Sequence, residues 1–345
     1  MNRVGVIRCL AAAVLFGASA PAASSLVDDM PVLVLAGLLY IGAGLAVLPA
    51  VARRPPTSVA LAAEWRSAAV AVVVGGAVGP ALLVAGLARS SAASASILLN
   101  LELVATVAFA ATLFREHLGR RLLTGSALVV AGGVVLAWEP GAEATLGALF
   151  IAGACAAWGL DNGVTARIEQ LAPGHVVLAK GVVAGSANLL LGWLVAGNLD
   201  VAARGDVVAA LVIGAVGYGL SITLWVKGAR DLGAARGQLI FATAPFIGAA
   251  IAWIALGESV EVDQLVAIGL CGVGVAVSLD SAHEHRHEHE PLRHDHEHRH
   301  DDGHHDHRHA EGVDGRHSHP HTHAAVIHSH PHVPDLHHRH DHGVV

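Results

Sequence analysis

The chain has 345 residues, 54% of them hydrophobic and 14% charged, where a soluble globular domain carries about 25% charged residues. Its formal net charge of -7 lies mainly beyond Ala282, where 12 of the 28 acidic side chains and 23 of the 25 histidines stand against six arginines. This excludes an ordinary soluble domain, and the lack of a basic patch excludes a nucleic-acid binder.

The first 281 residues read as a membrane body. Apolar runs of about 20 residues, enough to cross a ~30 Å hydrocarbon core, fall near 8–26, 31–52, 67–88, 92–114, 121–138, 145–168, 175–197, 206–227, 235–256 and 263–281. Runs one and six are the weakest, interrupted by Ser24-Ser25 and by Asp161-Asn162. Arg3, Arg8 and the small residues Ala18-Ser19-Ala20 resemble a cleavable signal, but Pro21 disfavours cleavage and the segment is read as the first helix. The 39 glycines suit helices that approach closely through small residues. Cys9, Cys155 and Cys271 all sit in apolar runs and read as core residues, with neither a disulfide nor a thiolate metal site.

Ten crossings place Arg3, Arg8, Arg53, Arg54, Arg66, Arg115, Arg120, Arg121, Arg167, Lys180, Lys227, Arg230 and Arg236 on one side, and only Arg89 and Arg204 on the other. The positive-inside rule makes the first side cytoplasmic, with both termini there. Two lysines against nineteen arginines, with abundant Ala, Val and Gly, point to a GC-rich bacterial genome and hence to the bacterial inner membrane.

The halves repeat at an offset of 142 residues. Phe16-Gly17 matches Trp158-Gly159, Gly86 matches Gly228, Ala92-Ala93 matches Ala234-Ala235, Glu116 matches Glu258 and Gly132 matches Gly274. Five helices per repeat is an odd number, so the second repeat is inverted, an architecture that places a site at the repeat interface near the midplane. The expected domains are a first repeat over 8–138, a second over 145–281 and a disordered His-rich cytoplasmic tail over 282–345.

These features resemble the EamA-type transporters of the drug/metabolite transporter superfamily. The resemblance rests on Phe16-Gly17, Trp158-Gly159, Leu256-Gly257-Glu258, the segments Leu98–Glu102 and Ala157–Asn162, Lys180-Gly181, and Ala244–Gly248. It covers roughly residues 8–280 and implies an all-α fold of ten transmembrane helices in two inverted repeats, exporting or exchanging small metabolites by alternating access. The first repeat departs in Phe114-Arg115-Glu116, and its Leu103 stands where the second has Pro245, so the fourth helix is expected to be straighter than the ninth.

A carboxylate costs several kcal/mol at mid-bilayer and is kept where it faces a protein interior or a watery cavity. At 1.5 Å per helical residue, Glu102 lies about 15 Å in from the outer face, Asp161 about 24 Å in, and Lys180 about 7 Å up from the inner face. Glu102 is therefore the candidate for binding a proton or a cationic solute; the alternative is a permanently neutral acid bonded to a neighbour such as Asn188. Asp161 and Lys180 share the cytoplasmic third and are expected to pair, either as a static lock or as a gate. Asn100, Asn162, Asn188 and Gln238 are candidate polar lining, and Glu116 and Glu258 are expected to cap or be solvated at helix ends.

In the tail, His283, His285, His287, His289, His294, His296, His298, His300, His304, His305, His307 and His309 are candidate ligands for Ni, Zn, Co or Cu, since neutral imidazole suits these metals. No cofactor is required, and no nucleotide loop, HExxH motif or nucleophile constellation marks an enzyme. The expected function is secondary transport, by proton coupling or otherwise, of a small metabolite or drug-like solute. A divalent-metal exporter fed by the tail and a non-transporting metal sensor or store are the alternatives. Expected partners are the lipid bilayer and the small-molecule solute, with a divalent metal and a homodimer left open.

Overall fold

The computed structural model describes residues 3–113, 120–137, 142–165, 167–168, 170–196, 204–232 and 240–279 of the membrane body, and the backbone of 283–289, 293–298, 317–322 and 326–332 in the tail. The chain divides into two units, Met1–Ser281 and Ala282–Val345.

Among the described residues the first unit is helical. Its helices are α1 (Arg3–Ser24), α2 (Val32–Arg53), α3 (Ser58–Leu87), α4 (Ala92–Thr112), α5 (Arg120–Ala137), α6 (Ala142–Thr165), α7 (Pro173–Ala196), α8 (Arg204–Gly228), α9 (Ala244–Ala255) and α10 (Val262–Leu279). Seven are long and apolar enough to cross a membrane; α9 and the Val262–Val277 stretch of α10 are shorter apolar helices. The remaining one, α6, spans 24 residues and carries Asp161-Asn162 in its apolar run.

α3 begins nine residues before the apolar run does. Thr57 caps it, its hydroxyl accepting from Ala60 N at 3.2 Å, and the first turns, around Glu64 and Arg66, stay largely exposed. Within α3, α7 and α8 the α-pattern gives way to π-helical turns at Ala71–Val78, Lys180–Gly185 and Gly214–Leu220. Such widened turns are frequent at functional sites.

The expected straightness of α4 is not found. α4 breaks between Leu98 and Leu101, much as the chain breaks at Ala242-Thr243 before α9. α9 is set by Pro245 near its first turn. In α4 the Asn100 amide donates to Ile97 O at 2.8 Å, and Asn100 N reaches the same carbonyl at 3.1 Å. A side chain competing for a helix carbonyl has replaced the missing proline.

Contacts between helices repeat at the sequence offset. A β-carbon at Gly159 would stand 2.7 Å from that of Ala105, and one at Gly17 would stand 3.2 Å from that of Ile247. One at Gly86 meets Gly147 O at 3.1 Å and one at Gly228 meets Gly5 O at 3.0 Å; Gly132 and Gly274 approach Ala267 O and Gly125 O in the same reciprocal way. Each pair of contacts interconverts when 142 is added to one and subtracted from the other, as a two-fold rotation requires. Along α5, Gly125 approaches Gly274 while Gly132 approaches Ala267, so α5 and α10 run antiparallel. The axis therefore lies across the helices, near Val129 and Cys271, whose Sγ lies 3.9 Å from Val129 O. A rotation about an axis across the helices inverts one repeat relative to the other.

In the second unit the described backbone is extended. β1 (His283–His289) pairs antiparallel with β4 (Val326–His332), and β2 (Arg293–His298) with β3 (His317–Thr322). Period-two alternation of His with Glu, Asp, Ser or Pro is compatible with extended backbone. Two-stranded ladders without an apolar face are marginally stable in water.

Candidate functional site

The polar groups of the membrane body converge between the two repeats, on the side of the axis contributed by α2, α3, α4, α6 and α7. Asp161 on α6 and Lys180 on α7 form a salt bridge, with side chains 8% and 11% exposed. Thr165 Oγ1 donates to the other Asp161 oxygen at 3.0 Å. The pair lies against the Gly75-Gly76 step of α3, where a β-carbon at Gly75 would overlap the Asp161 carboxylate and one at Gly76 would sit 3.0 Å from Lys180 Cγ. Gly75 lies in a π-turn, and its carbonyl accepts two bonds, from Tyr40 Oη at 2.9 Å and Trp158 Nε1 at 3.0 Å. Gly79, one turn on, makes room for the same indole.

The next residue of α6, Asn162, points the other way, towards α4. Its Nδ2 donates to Glu102 Oε1 at 2.8 Å and reaches Thr106 Oγ1 at 3.4 Å; Thr106 itself donates to Glu102 O at 2.8 Å. Two consecutive residues on one helix therefore tie the ion pair to the Glu102 carboxylate. Glu102 lies within electrostatic reach of Asp161 and Lys180, and also of Tyr40 and Tyr218.

Aromatic rings close the other side. Tyr40 and Tyr218 stack tilted at 5.6 Å, Phe16 meets Tyr218 edge-on at 5.9 Å, and Phe241 lies 5.3 Å from Phe16. The two tyrosines are the only two in the chain. α1, α2, α3, α4, α6, α7 and α8 thus each supply a side chain or backbone group to one centre, while α5 and α10 pack on each other.

The charge at this centre breaks the two-fold. The mates of Glu102, Asp161, Asn162 and Lys180 are Ala244, Ser19, Ala20 and Leu38. Burial is unequal as well. Ala20 and Ala23 at the end of α1 are 1% and 0% exposed, whereas their mates Asn162 and Thr165 on α6 are exposed and half-buried. Glu258 stands at one end of the bundle, and Arg54 and His175 at the other.

At one end Glu258 clasps the start of α4, Oε1 accepting from Ala92 N at 2.7 Å and Oε2 from Ala93 N at 2.9 Å. Gln264 donates to Ser91 Oγ and Ser94 Oγ at 3.2 and 3.1 Å and accepts from Trp253 Nε1 at 2.9 Å. A cavity of about 770 Å³ lies over this clasp, lined by Asp28, Arg89, Ser91, Glu258, Glu261 and Gln264 among others. At the opposite end His175 Nδ1 accepts from Ala172 N at 3.1 Å and its Nε2 lies 2.8 Å from Arg54 O.

Some sequence expectations need correcting. Asn188 does not partner Glu102; its amide donates to Ala77 O at 3.1 Å and fastens α7 to α3. Asn100 works within α4 and is 5% exposed. α6 runs parallel to α4, with Gly147 packed on Arg89 and Ser90 and Gly159 on Ala105 and Thr106, so Asp161 and Asn162 lie past Glu102 and the Asn162 amide reaches back to its carboxylate. Gln238 and Glu116 lie outside the described residues, as do the side chains of His283, His285, His287, His289, His294, His296 and His298 and the whole of His300, His304, His305, His307 and His309. Among the described residues no cluster of three His, Cys, Asp or Glu side chains could hold a metal ion.

Sequence reasoning missed Tyr40, Tyr218, Thr106 and Gly75. The rarity of tyrosine and the adjacent glycines Gly75-Gly76 in an apolar run were the available signals.

A two-fold helical bundle with a charged centre between its repeats is the architecture of a membrane carrier. The sequence profile of the EamA-like transporter family matches residues 3–138 and again 145–279, two starts separated by the same 142 residues. The chain belongs to the EamA-like transporter family. A solved structure, described only as the crystal structure of a protein, is similar over 81% of this chain and 98% of its own, with a TM-score of 0.60 and 20% identity, and establishes likeness of fold. No curated protein matches the chain.

Proposed function

We propose that the protein is a secondary transporter that moves a small solute across the bacterial inner membrane by alternating access, with ten crossings and both termini in the cytoplasm. Arg53, Arg54, Arg66 and Arg167 stand at the end that carries His175, which the positive-inside rule makes cytoplasmic. The exposed Asn162 beside Glu102 supports access from that side, with the Glu258 clasp holding the periplasmic side. Exchange of conformation between the two inverted repeats gives the outward-open state, and the solute leaves the cell.

The observation that carries this reading is the Glu102 carboxylate, held by Asn162 and partly accessible at a centre where the helices of both repeats meet. A carboxyl group at such a place can take up a proton in one state and release it or exchange it for solute in the other. Asp161–Lys180 acts beside it as a charged pair that must stay matched through the cycle.

The test is flux in proteoliposomes driven by an imposed pH gradient. Glu102→Gln keeps the shape and the Asn162 contact, and is expected to abolish gradient-driven flux while the protein still inserts and elutes as the wild type does. Undiminished flux removes Glu102 from the mechanism.

A further inference from the structure

The hydrogen-bond inventory around Glu102 restricts what the site can hold. Of the four oxygen and nitrogen atoms in the Glu102 and Asn162 side-chain heads, Oε1 and Nδ2 are bonded to each other, and the remaining Nδ2 hydrogen faces Thr106 Oγ1. Glu102 Oε2 and Asn162 Oδ1 receive no bond from any described residue. Both are acceptors.

Several donors around the pair are engaged elsewhere. Thr106 donates to Glu102 O, Thr165 to Asp161, and Tyr40 and Trp158 to Gly75 O. The one ammonium, Lys180, is bonded to Asp161 and packed on Gly76. Two carboxyl groups share that single ammonium, and Glu102 is the one with no cation bonded to it. The two open atoms of the Glu102–Asn162 pair are both acceptors, so an anion or the carboxylate of an amino acid meets no donor at that pair. A quaternary ammonium would satisfy the charge and leave both acceptors without a hydrogen.

We propose that Glu102 Oε2 and Asn162 Oδ1 bind the protonated nitrogen of an organic amine, so that the solute is recognised as a monovalent cation carrying N–H donors. This deepens the transport reading and rests on it. Phe16 and Phe241, half-buried and in contact at 5.3 Å, join Tyr218 and Tyr40 in one aromatic cluster, and aromatic faces attract cations. The asymmetry of the repeats fits this role, since Ala244 and Ala20 stand at the two-fold mates of the recognising pair and the centre presents one ammonium seat instead of two.

The test uses the purified full chain in detergent and four compounds that share an indole body: tryptamine, its N-trimethylated quaternary ammonium, indole-3-ethanol and indole-3-acetate. Binding is read as a ligand-dependent rise in melting temperature and titrated to an apparent Kd. Tryptamine is expected to stabilise the wild type and the other three are not. Loss of a hydrogen bond to a charged group corresponds to roughly a tenfold to hundredfold weaker Kd, which is the loss expected in Glu102→Gln; Asn162→Ala, losing a neutral acceptor, is expected to weaken Kd about fivefold. Glu102→Asp, which keeps the charge, retains measurable binding and serves as the comparison if Glu102→Gln melts early by itself.

Equal stabilisation by indole-3-acetate or by the quaternary compound overturns the proposal. So does a tryptamine shift that survives Glu102→Gln, and so does no tryptamine shift at all. The broader reading fails separately. If indole-3-acetate or another non-amine moves down a pH gradient through the protein in a Glu102-dependent way, the carrier stands and only the amine seat is lost.

Discussion

Removing one member of the Asp161–Lys180 pair is expected to cost far more than removing both. The two side chains are 8% and 11% exposed, so water cannot replace a lost partner, and an orphaned buried charge costs about 3–5 kcal/mol. Asp161→Ala strands the ammonium of Lys180, whose stem packs on Gly76, and Lys180→Ala strands the Asp161 carboxylate against Gly75. At roughly 2–4 °C per kcal/mol for a domain of a few hundred residues, each single change lowers the melting temperature by roughly 10 °C. The double change removes both charges and leaves an apolar gap, so its loss is expected to be smaller than either single loss. The exchanged pair, Asp161→Lys with Lys180→Asp, is not expected to recover, because Gly75 leaves space for a carboxylate and not for a lysine stem. Fluorescence-monitored unfolding of the four proteins in one detergent gives the cycle. Additive losses from the two single changes would show that the charges do not depend on each other, and the pairing argument would fail.

Three other outcomes follow from the same geometry. Glu258→Ala deprives Ala92 N and Ala93 N of their acceptor, and at roughly 1.5–3 kcal/mol per bond to a charged group the 92–98 stretch of α4 should exchange its amide hydrogens at least tenfold faster; protection unchanged in mass spectrometry would deny the clasp. Gly75→Ala forces a β-carbon into the Asp161 carboxylate and is expected to abolish flux and lower the melting temperature, whereas Gly205→Ala, which meets nothing within 4 Å, should change neither. Truncation after Ser281 removes a separate unit and 23 histidines; the body should melt as before and lose retention on immobilised nickel, and retention that persists would place the metal-binding groups elsewhere.

Much of the architecture was legible because the bilayer allows few solutions. A backbone in hydrocarbon must satisfy its own hydrogen bonds, so the apolar runs became helices, and the glycine pairs at one offset marked where the two repeats touch. Glu102, Asp161 and Lys180 stood out because charge is costly in such runs. What the linear order withheld was which groups meet. Asn162 and Asn188 are equally polar, yet one bonds Glu102 and the other only Ala77 O, a choice set by helix rotation and by how far α6 extends past α4. The break at Asn100 likewise depends on a side chain folding back on its own helix.

By itself, then, the order of residues determined the membrane body, the inverted duplication and the charged side chains that had to find partners, since each follows from solvation cost and period along one chain. Only the tertiary structure decided that Asp161 and Asn162 face opposite neighbours, that Gly75 O gathers Tyr40 and Trp158, and that one carboxylate oxygen is left open. Those outcomes depend on the angle and offset at which separate helices pack, which close contacts between small residues fix and no single helix encodes.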